Sequence, residues 1–296
     1  MNILLLGGNR FFGKKLLKKL STSKTINIYV LNRGNKKIET NIYKKKNVIF
    51  LRCDRKNKVE MKKILQNIKF DLIFDNCAYE VNDVKNLLQI VNNKNVVYLF
   101  SSTVMSYLNL YLKETLHERR WHAGSSTRKM KGIYMDHELN YAKNKRKIEK
   151  FLIKNKKIKY IILRIHNVIG IDDFSKKTFK LFMSNIVQAK KYNINEYDNF
   201  QFTYDQDLIK IIYQLIISYP KKSDVFNICN DPISVKQFYR LKNRYFKKKS
   251  TMINDEKFPF PKNVIMNNTK IKNKLNFGFT PITKIIKKIS TSNEFK

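Results

Sequence analysis

Residues 1–20 read MNILLLGGNRFFGKKLLKKL. Asn2 to Leu6 is a short apolar run, suited to a strand buried on both faces. Glycines at positions 7, 8 and 13 follow. From Phe11 to Leu20 the apolar residues Phe12, Leu16, Leu17 and Leu20 share one helical face. Strand, glycine turn and helix in that order suit a dinucleotide. The helix N-terminus presents backbone N–H groups and the positive end of its dipole to a pyrophosphate. Arg10 stands where such a loop usually has its middle glycine.

Outward from this stretch the same alternation continues. Residues 26–31, 47–51, 71–75, 95–100 and 159–164 read as strands. Residues 59–68, 81–91 and 138–154 read as helices. Alternation at this spacing predicts an α/β fold, a Rossmann-type doubly wound parallel sheet. Beyond Gly170 the pattern loosens into helices at 176–190, 205–218, 235–248 and 282–289, with strands at 200–203 and 225–228. The expectation is a dinucleotide-binding domain over 1–170 and a small C-terminal α/β substrate lobe over 171–296, some of whose strands and helices return to the first sheet. Residues 104–136 are irregular and polar and hold the one tryptophan, Trp121. Long loops of this kind tend to be functional.

Composition bounds the rest. The chain has 296 residues and a hydrophobic fraction of 43%, enough for a sizeable core. No run of about 18 apolar residues occurs, so no membrane span is expected. The N-terminus lacks a signal-peptide layout, and a cytoplasmic location is the expectation. Cys53, Cys77 and Cys229 are scattered and make neither a disulfide framework nor a metal spacing. The four histidines form no HExxH pattern. The formal net charge of +38 is spread along the whole chain together with abundant Asn, Ile, Tyr and Phe. That joint excess reads as AT-rich coding rather than as a selected nucleic-acid face, which would cluster charge in one stripe. Salt-sensitive, non-specific nucleic-acid binding is expected on either reading.

Two clusters carry chemistry. The second strand ends at Leu31-Asn32-Arg33-Gly34, where an NAD site usually carries Asp or Glu for the ribose 2′-hydroxyl. Arg33 there favours a 2′-phosphate and hence NADP, with NAD the alternative. Arg10 could add a second charge, and a solvated turn is the bland reading of Arg33. Asp54, after the third strand, is a candidate for the adenine amino group or for a helix N-cap. The second cluster is Tyr141-Ala-Lys-Asn-Lys145. Positions i and i+4 share a helix face, and an ammonium beside a phenol is expected to lower the phenol's pKa into a usable range. By itself this spacing is common in a lysine-rich chain. Its helix follows Phe100-Ser101-Ser102-Thr103, hydroxyls at the carboxyl end of a central strand, where ligands bind in open α/β sheets.

Six segments in order resemble the extended short-chain dehydrogenase/reductase family, the NAD-dependent epimerase/dehydratase group. They are GGNRFFG, FSSTVMSY, YAKNKRKIE, LRIHNVIG, FTYDQDLIKII and TKIKNKLNFGFTP. The resemblance covers nearly the whole chain. It implies a Rossmann domain with a C-terminal substrate lobe, a nicotinamide cofactor and, often, nucleotide-sugar substrates. Matched by position, Thr103 polarises the substrate oxygen, Tyr141 is the acid/base, Lys145 binds the cofactor ribose and Asn167 contacts substrate. Gly7 and Gly13, with Arg10, Phe11 and Phe12 between them, form the cofactor loop. Arg10 and the Asn32-Arg33-Gly34 turn resemble a GGTRF-loop sub-branch that mixes epimerase- or reductase-like proteins with stem-loop RNA-binding ones. The expected function is therefore an NAD(P)-dependent epimerase, dehydratase or reductase acting on a nucleotide sugar or a related carbonyl/alcohol pair. A nucleic-acid-binding or non-catalytic member of the fold is the alternative. A homodimer is left open.

Overall fold

The computed structural model describes residues 1–34, 40–107, 115–120, 135–171, 198–246 and 264–291. The chain opens with β1 (Asn2–Leu6), α1 (Phe11–Leu20), β2 (Asn27–Asn32), α2 (Thr40–Tyr43), β3 (Val48–Arg52) and α3 (Lys58–Leu65). β4 (Leu72–Asp75), α4 (Val81–Val91), β5 (Val97–Thr103), α5 (Asp136–Lys154), β6 (Lys159–Ile165) and β7 (Val168–Ile169) follow. Then come β8 (Asn199–Phe200), β9 (Thr203–Tyr204), α6 (Asp205–Ile217), β10 (Asp224–Ile228), β11 (Ile233–Ser234), α7 (Val235–Tyr245), α8 (Thr269–Leu275) and α9 (Ile282–Ser290).

Seven strands form one parallel sheet in the order β10-β6-β5-β4-β1-β2-β3. β1 pairs with β2 on one side, Leu5 against Val30, and with β4 on the other, Leu5 against Phe74. The chain winds outward from β1 in both directions, which opens the sheet's carboxyl edge beside β1. Ile3, Leu4, Leu5, Ile73 and Val97 to Leu99 have no exposed surface. They are the fully apolar strands expected of a sheet covered on both faces. α1 buries Gly13, Leu16, Leu17 and Leu20 and leaves Lys18 and Lys19 exposed.

The chain divides into two compact units. The first comprises 1–109, 121–164 and 209–226; the second comprises 110–120, 165–208 and 227–296. The first unit's core gathers Leu4, Ile73, Tyr98 and Phe100 with Leu65, Val84, Ile148 and Leu152 from the helices. The second packs Phe200, Phe202, Phe238, Ile285 and Ile286 together.

Three departures from the sequence expectation stand out. β5 runs on past Phe100 through Ser101, Ser102 and Thr103, all buried. The strand expected at 200–203 is two short strands: Phe200 pairs with Ile233, whereas Thr203 pairs with Val168. The break falls at Gln201, whose buried amide exchanges hydrogen bonds with the Met266 backbone instead of entering a ladder. α8 has seven residues of weak apolar periodicity and was not separable from its lysine-rich surroundings. The helix expected at 176–190, the end of the one expected at 235–248, and most of the 104–136 segment with Trp121 lie outside the described residues. Among the described residues no helix is long and apolar enough to cross a membrane, and no group of His, Cys, Asp and Glu could hold a metal.

Candidate active site

The glycine turn joins β1 to α1 at the carboxyl edge of the sheet. Gly7 has φ +90°, the region glycine enters at little cost. A Cβ on Gly13 would lie 2.2 Å from the Gly7 carbonyl oxygen, so the first helical turn closes on the loop only without a side chain. Arg10 is the N-cap residue of α1 and is exposed. It makes no side-chain cap, and no acidic residue occupies the first turn. The turn's N–H groups and dipole thus face no carboxylate of their own helix, which fits an anionic ligand. Phe11 holds φ +43°, uncommon for a residue with a side chain, and its ring meets Phe12 edge-on with centroids 5.7 Å apart. Arg33, after β2, is exposed. Asp54 is half-buried, and its Oδ1 accepts from the Lys56 backbone N–H at 2.9 Å. The N-cap of α3 is Asn57, whose side chain accepts from Glu60 N–H.

Thr103 ends β5, and α5 carries Tyr141 and Lys145 one turn apart on its buried side. The structure brings all three together. Lys145 Nζ donates to the Ser101 carbonyl at 2.8 Å and lies 5.6 Å from the Tyr141 ring centroid. Burial pushes the Lys145 ammonium down to about 8, against the pull of Asp75, Cys77 and Glu149. The expectation that Lys145 lowers the Tyr141 pKa is corrected here. Burial, reinforced by Tyr79, raises the phenol to about 12, and the neighbouring Thr103 hydroxyl opposes the rise only in part. The physical reason is desolvation, which disfavours the phenolate while the Lys145 ammonium is turned to a backbone carbonyl.

Sequence reasoning missed the groups that fix this arrangement. Arg164, on β6, donates from Nη2 to Glu149 Oε2 at 2.8 Å and from Nη1 to the Tyr107 hydroxyl at 2.8 Å. Glu149 also accepts from the Ser102 hydroxyl. Glu149 lies on α5 one turn past Lys145, so this buried cluster pins the helix against β5 and β6. On the other side Asp75, at the end of β4, is fully buried. It takes both amino groups of Arg55 at 2.9 Å each and the Tyr98 hydroxyl at 2.5 Å. Burial alone would raise the Asp75 carboxyl; the Arg55 guanidinium outweighs it and holds the pKa below the usual range. Tyr79 is 55% exposed, yet its ring centroid is 6.1 Å from that of Tyr141 and 5.3 Å from Lys145 Nζ. Its backbone N–H is held by Asp83 Oδ2 at 2.9 Å. The visible signal for these residues was a charge within an otherwise apolar strand, as at Arg164 and Asp75. Asn167 lies in the second unit, where its carbonyl accepts from Thr203 N–H at 2.9 Å.

A glycine-turn Rossmann sheet with a Thr-Tyr-Lys cluster at the carboxyl end of a central strand defines the short-chain dehydrogenase/reductase class of architecture. The chain belongs to the NAD dependent epimerase/dehydratase family, whose model matches residues 3–229. Its fold is similar to that of UDP-glucuronic acid 4-epimerase from Bacillus cereus, solved with NAD, at 16% identity, 100% coverage of both chains and TM-score 0.72. It is similar also to UDP-glucose 4-epimerase from Thermotoga maritima, solved with UDP-glucose. There the identity is 18%, coverage 98% of this chain and 97% of that one, and the TM-score 0.74. A third similar structure is dTDP-glucose 4,6-dehydratase from Bacillus anthracis, solved with NAD. It shows 16% identity, coverage of 98% and 95%, and TM-score 0.71. A search of curated proteins by sequence found no match.

Proposed function

We propose that the protein is an NADP-dependent enzyme that interconverts an alcohol and a carbonyl on a nucleotide sugar, as an epimerase, dehydratase or reductase. The observation that carries this reading is the meeting of Thr103, Tyr141 and Lys145 at the end of β5, in the same unit as the Gly7–Gly13 turn. The similar solved structures named above act on, or hold, nucleotide sugars and NAD, which supports the substrate class.

When bound, the nicotinamide ring supplies the hydride acceptor or donor. The chain's own residues do the rest. Gly7, Phe11, Phe12 and Gly13 present backbone to the pyrophosphate, and the exposed Arg10 adds a positive charge on the side of the ribose 2′-phosphate. Arg33 takes the ribose 2′-phosphate and Asp54 the adenine amino group. Thr103 holds the substrate oxygen. The Tyr141 phenol delivers its proton to that oxygen and becomes the phenolate; in the opposite direction the Tyr141 phenolate, stabilised by the Lys145 ammonium turned toward the ring, takes the hydroxyl proton and returns to the phenol. Lys145 is also the ribose contact. Asn167 is assigned to substrate by its place in the LRIHNVIG segment.

Titration of the nicotinamide fluorescence of NADPH and NADH tests the cofactor. Tighter NADPH binding, lost in Arg33→Ala, is expected; equal affinities contradict it. A nucleotide-sugar panel, read both for net NADPH oxidation and for epimerised product without it, tests the reaction. A panel without any conversion by cofactor-loaded protein counts against an enzymatic role.

A further inference from the structure

We infer that Arg52, at the carboxyl end of β3, is the second half of the 2′-phosphate site and works with Arg33 to select NADP. This rests on the NADP reading above. Arg52 pairs in register with Asn32 across the β2–β3 ladder, so it stands beside the residue that precedes Arg33. Neighbouring parallel strands are about 4.8 Å apart, and the two arginines therefore leave the sheet from the same corner. The turn after β2 is shaped to admit the Arg52 side chain. Asn32 Oδ1 accepts from Gly34 N–H at 2.8 Å, and Gly34 takes φ +77°. A Cβ built on Gly34 would lie 2.9 Å from Arg52 Nε and 3.1 Å from its Cδ. Arg52 thus lies against the glycine of the turn, and a side chain at 34 would have to displace it.

Both arginines are exposed, and among the described residues no carboxylate pairs with either. Elsewhere in this unit strand-end charges are consumed: Arg55 by Asp75 and Lys56 by Glu80 and Asp83. Two guanidinium groups without a carboxylate partner at one strand corner gain from a shared dianion. A phosphomonoester supplies that dianion, and a planar guanidinium meets it with two parallel hydrogen bonds.

The test is calorimetric binding of adenosine 2′,5′-bisphosphate and of 5′-AMP, which differ only in the 2′-phosphate, to the full chain and to Arg33→Gln, Arg52→Gln and Arg52→Lys. Loss of a charge-assisted hydrogen bond should weaken the bisphosphate by roughly tenfold or more in Arg52→Gln and leave 5′-AMP unchanged. Arg52→Lys should keep part of the preference, because the charge remains without the fork. A full preference in Arg52→Gln with a lost one in Arg33→Gln overturns the role of Arg52 and leaves the NADP reading standing. Equal loss of both ligands in Arg52→Gln overturns it too, since Arg52 then only props the turn. A wild-type chain that does not distinguish the two ligands refutes the NADP reading itself.

Discussion

Replacing Arg164 by Met removes one side of a fully enclosed ion pair. The Arg164 side chain is 1% exposed and that of Glu149 0%. Arg164 donates to Glu149 from Nε at 3.1 Å and Nη2 at 2.8 Å, and to Tyr107 from Nη1. In Arg164→Met the Glu149 carboxylate keeps, among the described residues, only the Ser102 hydroxyl as donor. Leaving such a charge uncompensated costs about 3–5 kcal/mol. At roughly 2–4 °C per kcal/mol for large domains, the melting temperature should fall by about 10 °C. Adding Glu149→Leu removes the stranded charge, and replacing a whole buried pair by apolar groups is often close to neutral. The double variant should therefore be more stable than Arg164→Met alone. Urea melts of wild type, both singles and the double close the cycle and give the coupling directly. A loss below about 1 kcal/mol in Arg164→Met, or a double variant that loses the sum of the singles, would refute the claim that this pair pins α5.

Gly13→Ala places a methyl 2.2 Å from the Gly7 carbonyl oxygen, so the turn must open. Weakened NADPH binding is expected by fluorescence titration, with a stability loss of about 1–3 kcal/mol; an unaltered affinity contradicts the role of this close approach. Burial holds the His166 imidazole down at about 4, against 6.5 when exposed. The unfolded chain therefore binds a proton between those values that the folded chain refuses. Stability should fall as pH drops through that window, by up to about 1.4 kcal/mol per pH unit. Urea melts at successive pH values should show this slope in wild type and its reduction in His166→Leu.

Much of the first unit was legible because its physics is local. β1, α1 and α4 occupy the residues their periodicity marks, since each buries a continuous apolar run or stripe against the sheet. The Gly13 contact and the exposed Arg10 follow from the turn's geometry, which the glycine spacing encodes. What was not legible depends on long-range partners. Nothing within a few residues of Asp75 announces that Arg55 and Tyr98 will enclose it. The same holds for Glu149 with Arg164 and Tyr107. The direction of the Tyr141 shift was misread for a related reason. Spacing places Lys145 beside the phenol, but burial and the Ser101 carbonyl decide what the ammonium does. Gln201 broke a strand because its amide found Met266, 65 residues away in sequence.

The central claim is that Tyr141 moves the proton of a nicotinamide-coupled reaction. Tyr141→Phe removes one oxygen from a ring held against Tyr79 and Lys145, so the fold and dinucleotide affinity should stay as in wild type. The most direct measurement is turnover of the nucleotide sugar found active in the panel, by wild type and Tyr141→Phe, each saturated with NADPH. A fall of roughly 100-fold or more at unchanged NADPH affinity is expected, the scale of lost general acid–base catalysis. Turnover by Tyr141→Phe at the wild-type rate would contradict it.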